Sequence, residues 1–259
     1  MAVIVVINMN FWFKRKKIVL DCFTTDAFSY EYCKIESAVK YYPDWWLNLP
    51  SEEKNTNMKS CKGFTNLYVN SYVIPFWSTV DIEVSALDTR TFKWTVSGIF
   101  PEAAHTIGVI ISHNPKQYGK FTGSGNYQHI KLLSSWSIRT KSKVKFFYSD
   151  PVWHRDDLNN YTVLPGILEF KYNRSTEANI MFEYKAEPYN IRLTPGMPIA
   201  MMTPLTEDDV ELRHHLVTPN EMIYAESRFS FDKLNNMFNN KKKFLDDADK
   251  RTQTCPYKR

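Results

Sequence analysis

Glycine is scarce in this chain, with 8 residues in 259. The one Gly-Ser loop, FTGSGNY at 121–127, has no Lys-Ser/Thr behind it and no strand–helix frame around it. That excludes a P-loop and leaves a turn. Cysteine is also sparse. Cys22, Cys33, Cys61 and Cys255 form no close pair and no C-x-x-C, so a zinc ribbon or thioredoxin-type motif is absent. Scattered thiols suit a reducing cytoplasm, and a disulfide stays open at this point.

No G-x-S-x-G occurs, and Cys61 has no obvious histidine partner, so nucleophilic catalysis has no signature. A long apolar run is missing too. The N-terminal MAVIVVINMNFWFKRKKIVLDCF is too short to span a bilayer and is interrupted by Asn8 and Asn10. Its basic cluster follows the apolar run, the reverse of a secretory signal, so neither a cleaved signal nor a membrane span is expected.

The body lacks an excess of positive charge. The chain carries a net +5. Lys14, Arg15, Lys16 and Lys17 supply four charges, and residues 241–259 supply another four net. What remains is about −3, and no nucleic-acid-binding groove is implied. The ends read as solvated termini that can also meet an acidic partner.

Apolar side chains, by contrast, are plentiful. Hydrophobic residues make up 43% and aromatic residues 15%, enough for a packed core rich in flat side chains that suit sheets. IVLDCF predicts a short strand. Ile35, Ala38, Val39 and Tyr42 fall at helical spacing and predict a helix ended by Pro43. Of Trp45 and Trp46 just beyond it, adjacency on a turn allows only one to be fully buried. Asp81–Val84 and Phe92–Val96 alternate with period two around LDTRTF and predict a hairpin. Pro75 marks a strand edge or a bulge.

Short strands separated by turns continue to about residue 205, with no room for a helix of ordinary length after 120. In LTPGMPIAMMTPL, Ile199, Met201 and Thr203 are expected on one face, and the flanking prolines place the run at a barrel edge. His214 and His215 are expected in a linker. Thr218-Pro219-Asn220-Glu221 then opens a helix expected over about 219–240.

FWFKRKKIVLDCFT, AVKYYPDWWLNLP, SCKGFTNLYVNSYVIPFWSTVDIEV and YTVLPGILEFKY…IRLTPGMPIAMMTPL, taken in order, resemble uncharacterised proteins encoded by T4-like marine phages. More distantly they are similar to a bacterial family of unknown function. The resemblance runs from about residue 10 to 225. It implies a phage origin and a double-stranded β-helix, or jelly roll. No activity comes with it. The stretch from 100 to 130 departs from the family pattern.

One set of residues has the spacing of an iron site. His154 and Asp156 stand two apart, so an extended backbone puts both on one face, as in Fe(II)/2-oxoglutarate oxygenases of jelly-roll fold. His214 or His215 would be the distal ligand, and Arg228 the partner of a keto-acid carboxylate. Asp157 follows directly, which makes the segment read more simply as a polar turn. A cupin-like metal site would need several histidines on neighbouring strands. His105, His113 and His129 lie together in sequence, but no two stand at i, i+2 or i, i+4. The stripes of Trp45, Trp46, Phe76, Trp77, Trp136 and Trp153 read as core before they read as a sugar platform, and Trp153 beside His154 stands out among them.

The sequence therefore predicts a mostly β protein. An N-terminal strand–helix segment occupies 1–63, an antiparallel jelly-roll core 64–205, and a linker, C-terminal helix and basic tail 206–259. The expected role is a non-enzymatic phage protein, in the virion or in the host cytoplasm during assembly. It would bind a protein partner or itself, with no cofactor, nucleic acid or membrane. The alternatives are an Fe(II) oxygenase using His154, Asp156 and His214, and a host-takeover factor that binds a host protein.

Overall fold

A computed structural model of the protein describes residues 16–50, 57–97, 108–118, 125–154, 160–171 and 176–223. In chain order it forms β1 (Lys17–Thr24), α1 (Ala27–Tyr32), β2 (Glu36–Ser37), α2 (Asp44–Leu47), α3 (Lys62–Val69), β3 (Tyr72–Pro75), β4 (Thr79–Val84) and β5 (Phe92–Ser97). Next come β6 (Ile110–Ser112), β7 (Tyr127–Leu132), β8 (Ser137–Arg139), β9 (Lys145–Ser149), β10 (Thr162–Val163) and β11 (Gly166–Glu169). The series closes with β12 (Ala178–Glu183), β13 (Tyr189–Leu193), β14 (Pro198–Pro204) and β15 (Asp209–Leu216). The protein is mostly β, as its composition required.

The strands make four sheets, ordered β15-β1-β8, β10-β12-β7-β6, β11-β9-β14-β3-β2 and β13-β4-β5. None of them closes on itself. Every pair is antiparallel except β1 with β15, which runs parallel over eight residues from Lys17↔Asp209 to Thr24↔Leu216. That pair joins two ends of the chain that the sequence placed in separate flanking segments. Ile18, Leu20 and Cys22 of β1 alternate inward and belong to the same core as Ile82, Ile130, Phe146 and Met202. Among the described residues no helix is long and apolar enough to cross a membrane.

The expected β4–β5 hairpin forms, with Asp81 opposite Thr95 and Ile82 opposite Trp94. Pro75 ends β3 opposite Pro198, where the pairing with β14 slips by one residue. A proline has no ladder donor, so a bulge there costs nothing further. The capping box at Thr218 is present: the Thr218 amide donates to Glu221 Oε2 at 2.8 Å, and the Glu221 amide to Thr218 Oγ1 at 3.3 Å. Helix begins at Pro219; its extent past Ile223 lies outside the described residues.

Three expectations are corrected. No helix spans Ile35–Tyr42. Glu36 and Ser37 pair with Val73 and Tyr72, and the Ala38 amide donates to Ser71 O at 2.8 Å, so the backbone is held extended and only a 3-10 turn follows. Cross-strand pairing outweighs a weak helical preference. The second correction concerns β14, which is no edge. It is the central strand of the five-stranded sheet, and Ile199, Ala200, Met201 and Met202 are all buried, so both of its faces are covered. Its prolines sit at its two ends, where no ladder bond is lost. Lastly, His214 and His215 lie on strand β15, not in a linker.

Candidate functional site

The five-stranded sheet has an outer face, and the candidate site is built on it. Val73 on β3 and Met201 on β14 are cross-strand neighbours there, both fully buried. Helix α3 lies over them and contributes Phe64 and Tyr68, with Ala38 completing a second core cluster apart from the main one. Cys61 caps α3, its sulfur accepting from the Phe64 amide at 3.5 Å. Phe64 and Tyr68 are four apart, so one helical face carries both onto the sheet.

Aromatic rings extend this cluster outward. Tyr42 stacks on Trp46 at 4.3 Å between centroids and on Tyr68 at 4.7 Å. Pro43 starts the single turn α2, and a helical turn sends Trp45 and Trp46 to different sides. Trp46 packs inward and its indole N–H donates to Met58 O at 3.4 Å. Trp45 turns outward and meets Trp153 at 5.9 Å and Phe64 at 5.7 Å. Neither tryptophan is fully buried, since α2 is a single turn at the surface of the described residues. Trp45 remains 39% exposed and Trp153 40%. The Trp45 indole N–H donates to Trp153 O at 2.9 Å, which fixes the ring. Lys59 holds the loop below, donating to Leu47 O and Leu49 O at 3.1 and 2.7 Å.

His154 closes the cluster at its buried end. Tyr68 Oη and His154 Nε2 are 3.0 Å apart. Burial raises the Tyr68 pKa well above its ordinary value, so its hydroxyl keeps its proton and donates to the imidazole. Burial also lowers His154 to about 4, so the ring is neutral at pH 7. The Nε2 lone pair of His154 is thereby already engaged.

The other candidate ligands stand elsewhere. His214 Nε2 donates to Ile35 O at 2.9 Å, and its ring meets Trp136 edge-on at 5.2 Å. His215 points to the opposite face of β15, bonds Asp21 Oδ1 at 2.9 Å and stacks on Phe23. Their partners, Ile35 and Trp136 for His214 and Asp21 and Phe23 for His215, are not among the described residues around His154. Asp156 and Arg228 lie outside the described residues, as does His105. Among the described residues no three His, Cys, Asp or Glu side chains gather where they could hold a metal ion.

Spacing along the sequence missed one arrangement altogether. His113 and His129 stack face to face, 4.2 Å between centroids and 11° between planes, across the β6–β7 pairing. Sixteen residues separate them, and only strand register brings them together. The rings are nearly parallel, so no single ion can lie in both ring planes at bonding distance, and the stack as it stands is no chelate. Comparison with family models, with characterised proteins and with solved structures returns no match.

Proposed function

We propose that this chain is a non-enzymatic bacteriophage protein with a jelly-roll core, which binds a protein partner in the virion or during its assembly. The observation that carries the binding reading is the Trp45–Trp153 pair. Two large rings are left half open to water, yet both are held in place by the indole bond and by Phe64 behind them. Exposed apolar rings cost solvation free energy, and rigid ones lose little entropy when covered. Tryptophan and tyrosine anchors of this kind dominate protein interfaces. Phe147 and Ile167, cross-strand neighbours on the same outer face, extend the apolar surface beyond the cap.

The jelly-roll reading rests on nested pairings. β3 pairs with β14 and, inside that, β4 with β13, while β9 sits against β14. A chain folded double upon itself produces such nesting. The phage reading rests on the sequence resemblance alone.

Mass spectrometry of purified virions tests the proposal. The protein is expected in the particle in fixed stoichiometry, and a Trp45→Ala, Trp153→Ala double variant that folds normally is expected to lose about tenfold or more in incorporation. Its absence from virions and from assembly intermediates overturns the reading. Normal incorporation of the variant removes the platform from it.

A further inference from the structure

The histidine stack on β6 and β7 has no part in that surface. β6 is the terminal strand of its sheet and only three residues long. Ile110, Ile111 and Ser112 pair with Leu132, Lys131 and Ile130. His113 continues the register, its amide donating to His129 O at 3.0 Å. The stacked rings thus sit at the point where the short edge strand leaves its neighbour.

Both rings are fixed by one nitrogen and bare at the other. His113 Nδ1 lies 3.0 Å from Gln117 Oε1, and His129 Nε2 lies 3.1 Å from Asn179 Oδ1. An amide oxygen accepts only, so those two nitrogens carry the ring protons. Among the described residues His113 Nε2 and His129 Nδ1 are left as buried lone pairs with no hydrogen-bond partner. His129 is only 6% exposed.

A buried lone pair without a donor has one simple ligand, the proton, and among the described residues no acceptor is in place to receive the charge that follows. Two imidazolium rings at this separation repel across a low-dielectric gap. The surroundings offer little relief. Lys131, next but one on β7, adds positive charge and is itself bonded to Glu177 at 2.8 Å. Tyr118, edge-on to His129, and Asn179 are neutral. Burial first, then His113, lower the His129 pKa, so the fold favours the neutral ring. Because the folded value lies below the unfolded one, the stabilisation is complete above the ordinary histidine range and is lost as pH falls through it.

We propose that the His113–His129 stack is a proton-operated latch, holding β6 on β7 while both rings are neutral and releasing it when both are charged. Release frees the β7 edge, a row of backbone donors and acceptors able to pair with another strand.

Hydrogen exchange on the full chain at pH 7.5, 6 and 5, corrected for intrinsic exchange rates, tests the latch. Protection of amides 111 and 113, which face β7, is expected to fall about tenfold between pH 7.5 and 5, equivalent to one pKa unit of coupling. The β4–β5 hairpin, which carries no histidine, should hold its protection. His113→Phe keeps a ring over His129 but removes one charge, and its loss of protection should shrink to less than half. Unchanged protection in the wild type, or an equal fall in His113→Phe, overturns the proposal. Should that variant not fold, histidine ring resonances of the wild type decide it. A His129 titration tracked by the β6 amide shifts supports the latch, and a His129 titration with β6 unmoved refutes it.

Discussion

The two faces of the five-stranded sheet are filled by different means. On the inner face Ile74, Phe146, Tyr148, Ala200 and Met202 enter the main core. They enter the same core as residues of the other sheets, and their contribution is chiefly burial of apolar area. On the outer face Val73 and Met201 are covered by α3 and a stack of rings, three of them tied by a polar handle: Trp46 to Met58, Tyr68 to His154, Trp45 to Trp153. The first face is closed by volume. The second is closed by oriented rings and stops short of completion, leaving Trp45 and Trp153 partly bare.

The contrast can be broken or sharpened by substitution. Phe146→Ala on the inner face is expected to cost about 3–5 kcal/mol, read from urea unfolding, since it opens a cavity among fully buried neighbours. A cost below about 2 kcal/mol would mean that the inner face collapses around the gap and is less tightly packed than the outer one.

Acid comes next in size. His154 titrates at about 4 in the fold against about 6.5 when unfolded. Its neutral ring therefore stabilises the protein above pH 6.5, and that contribution is lost as pH falls towards 4. Allowing for partial solvent access, about 2 kcal/mol should disappear between pH 7.5 and 4.5. A His154→Phe variant should lack that part of the acid loss. If its unfolding free energy falls with pH as steeply as the wild type's, the ring is not held neutral by the cap.

Tyr68→Phe removes the hydroxyl and leaves His154 Nε2 buried without a donor, for an expected cost of about 1–2 kcal/mol. Calorimetry on the pair Tyr68→Phe and His154→Phe, singly and combined, should give costs that do not add, because they share one bond. Smallest of all, Trp45→Ala should change stability by under about 1 kcal/mol while altering partner binding most, since its ring faces water. A large stability loss would make the outer cap a second core and remove the reason for its exposure.

Much of the strand inventory was legible in the sequence. Alternation at Asp81–Val84 and Phe92–Val96 reports the hairpin because a half-buried strand imposes period two. The capping box at Thr218 was legible because its bonds are local. The helix expected at Ile35–Tyr42 failed for the opposite reason: the partners of Glu36 and Ser37 are more than thirty residues away. β14 misled as well. Prolines at both ends suggested an edge, and only its two neighbours, β3 and β9, show it to be central. Trp153 and His154 stood out in the sequence as an adjacent pair; Tyr68, the residue bonded to His154, did not.

Composition and periodicity by themselves determined that this protein is mostly β, aromatic in its core and punctuated at Pro75 and Thr218, because those features depend on neighbours a few residues away. Tertiary structure alone decided that β1 runs parallel to β15, that His113 lies on His129, and that two tryptophans over one sheet remain open to water. Each of these depends on which strands lie side by side, and residues far apart in the chain meet only when the backbone closes those distances.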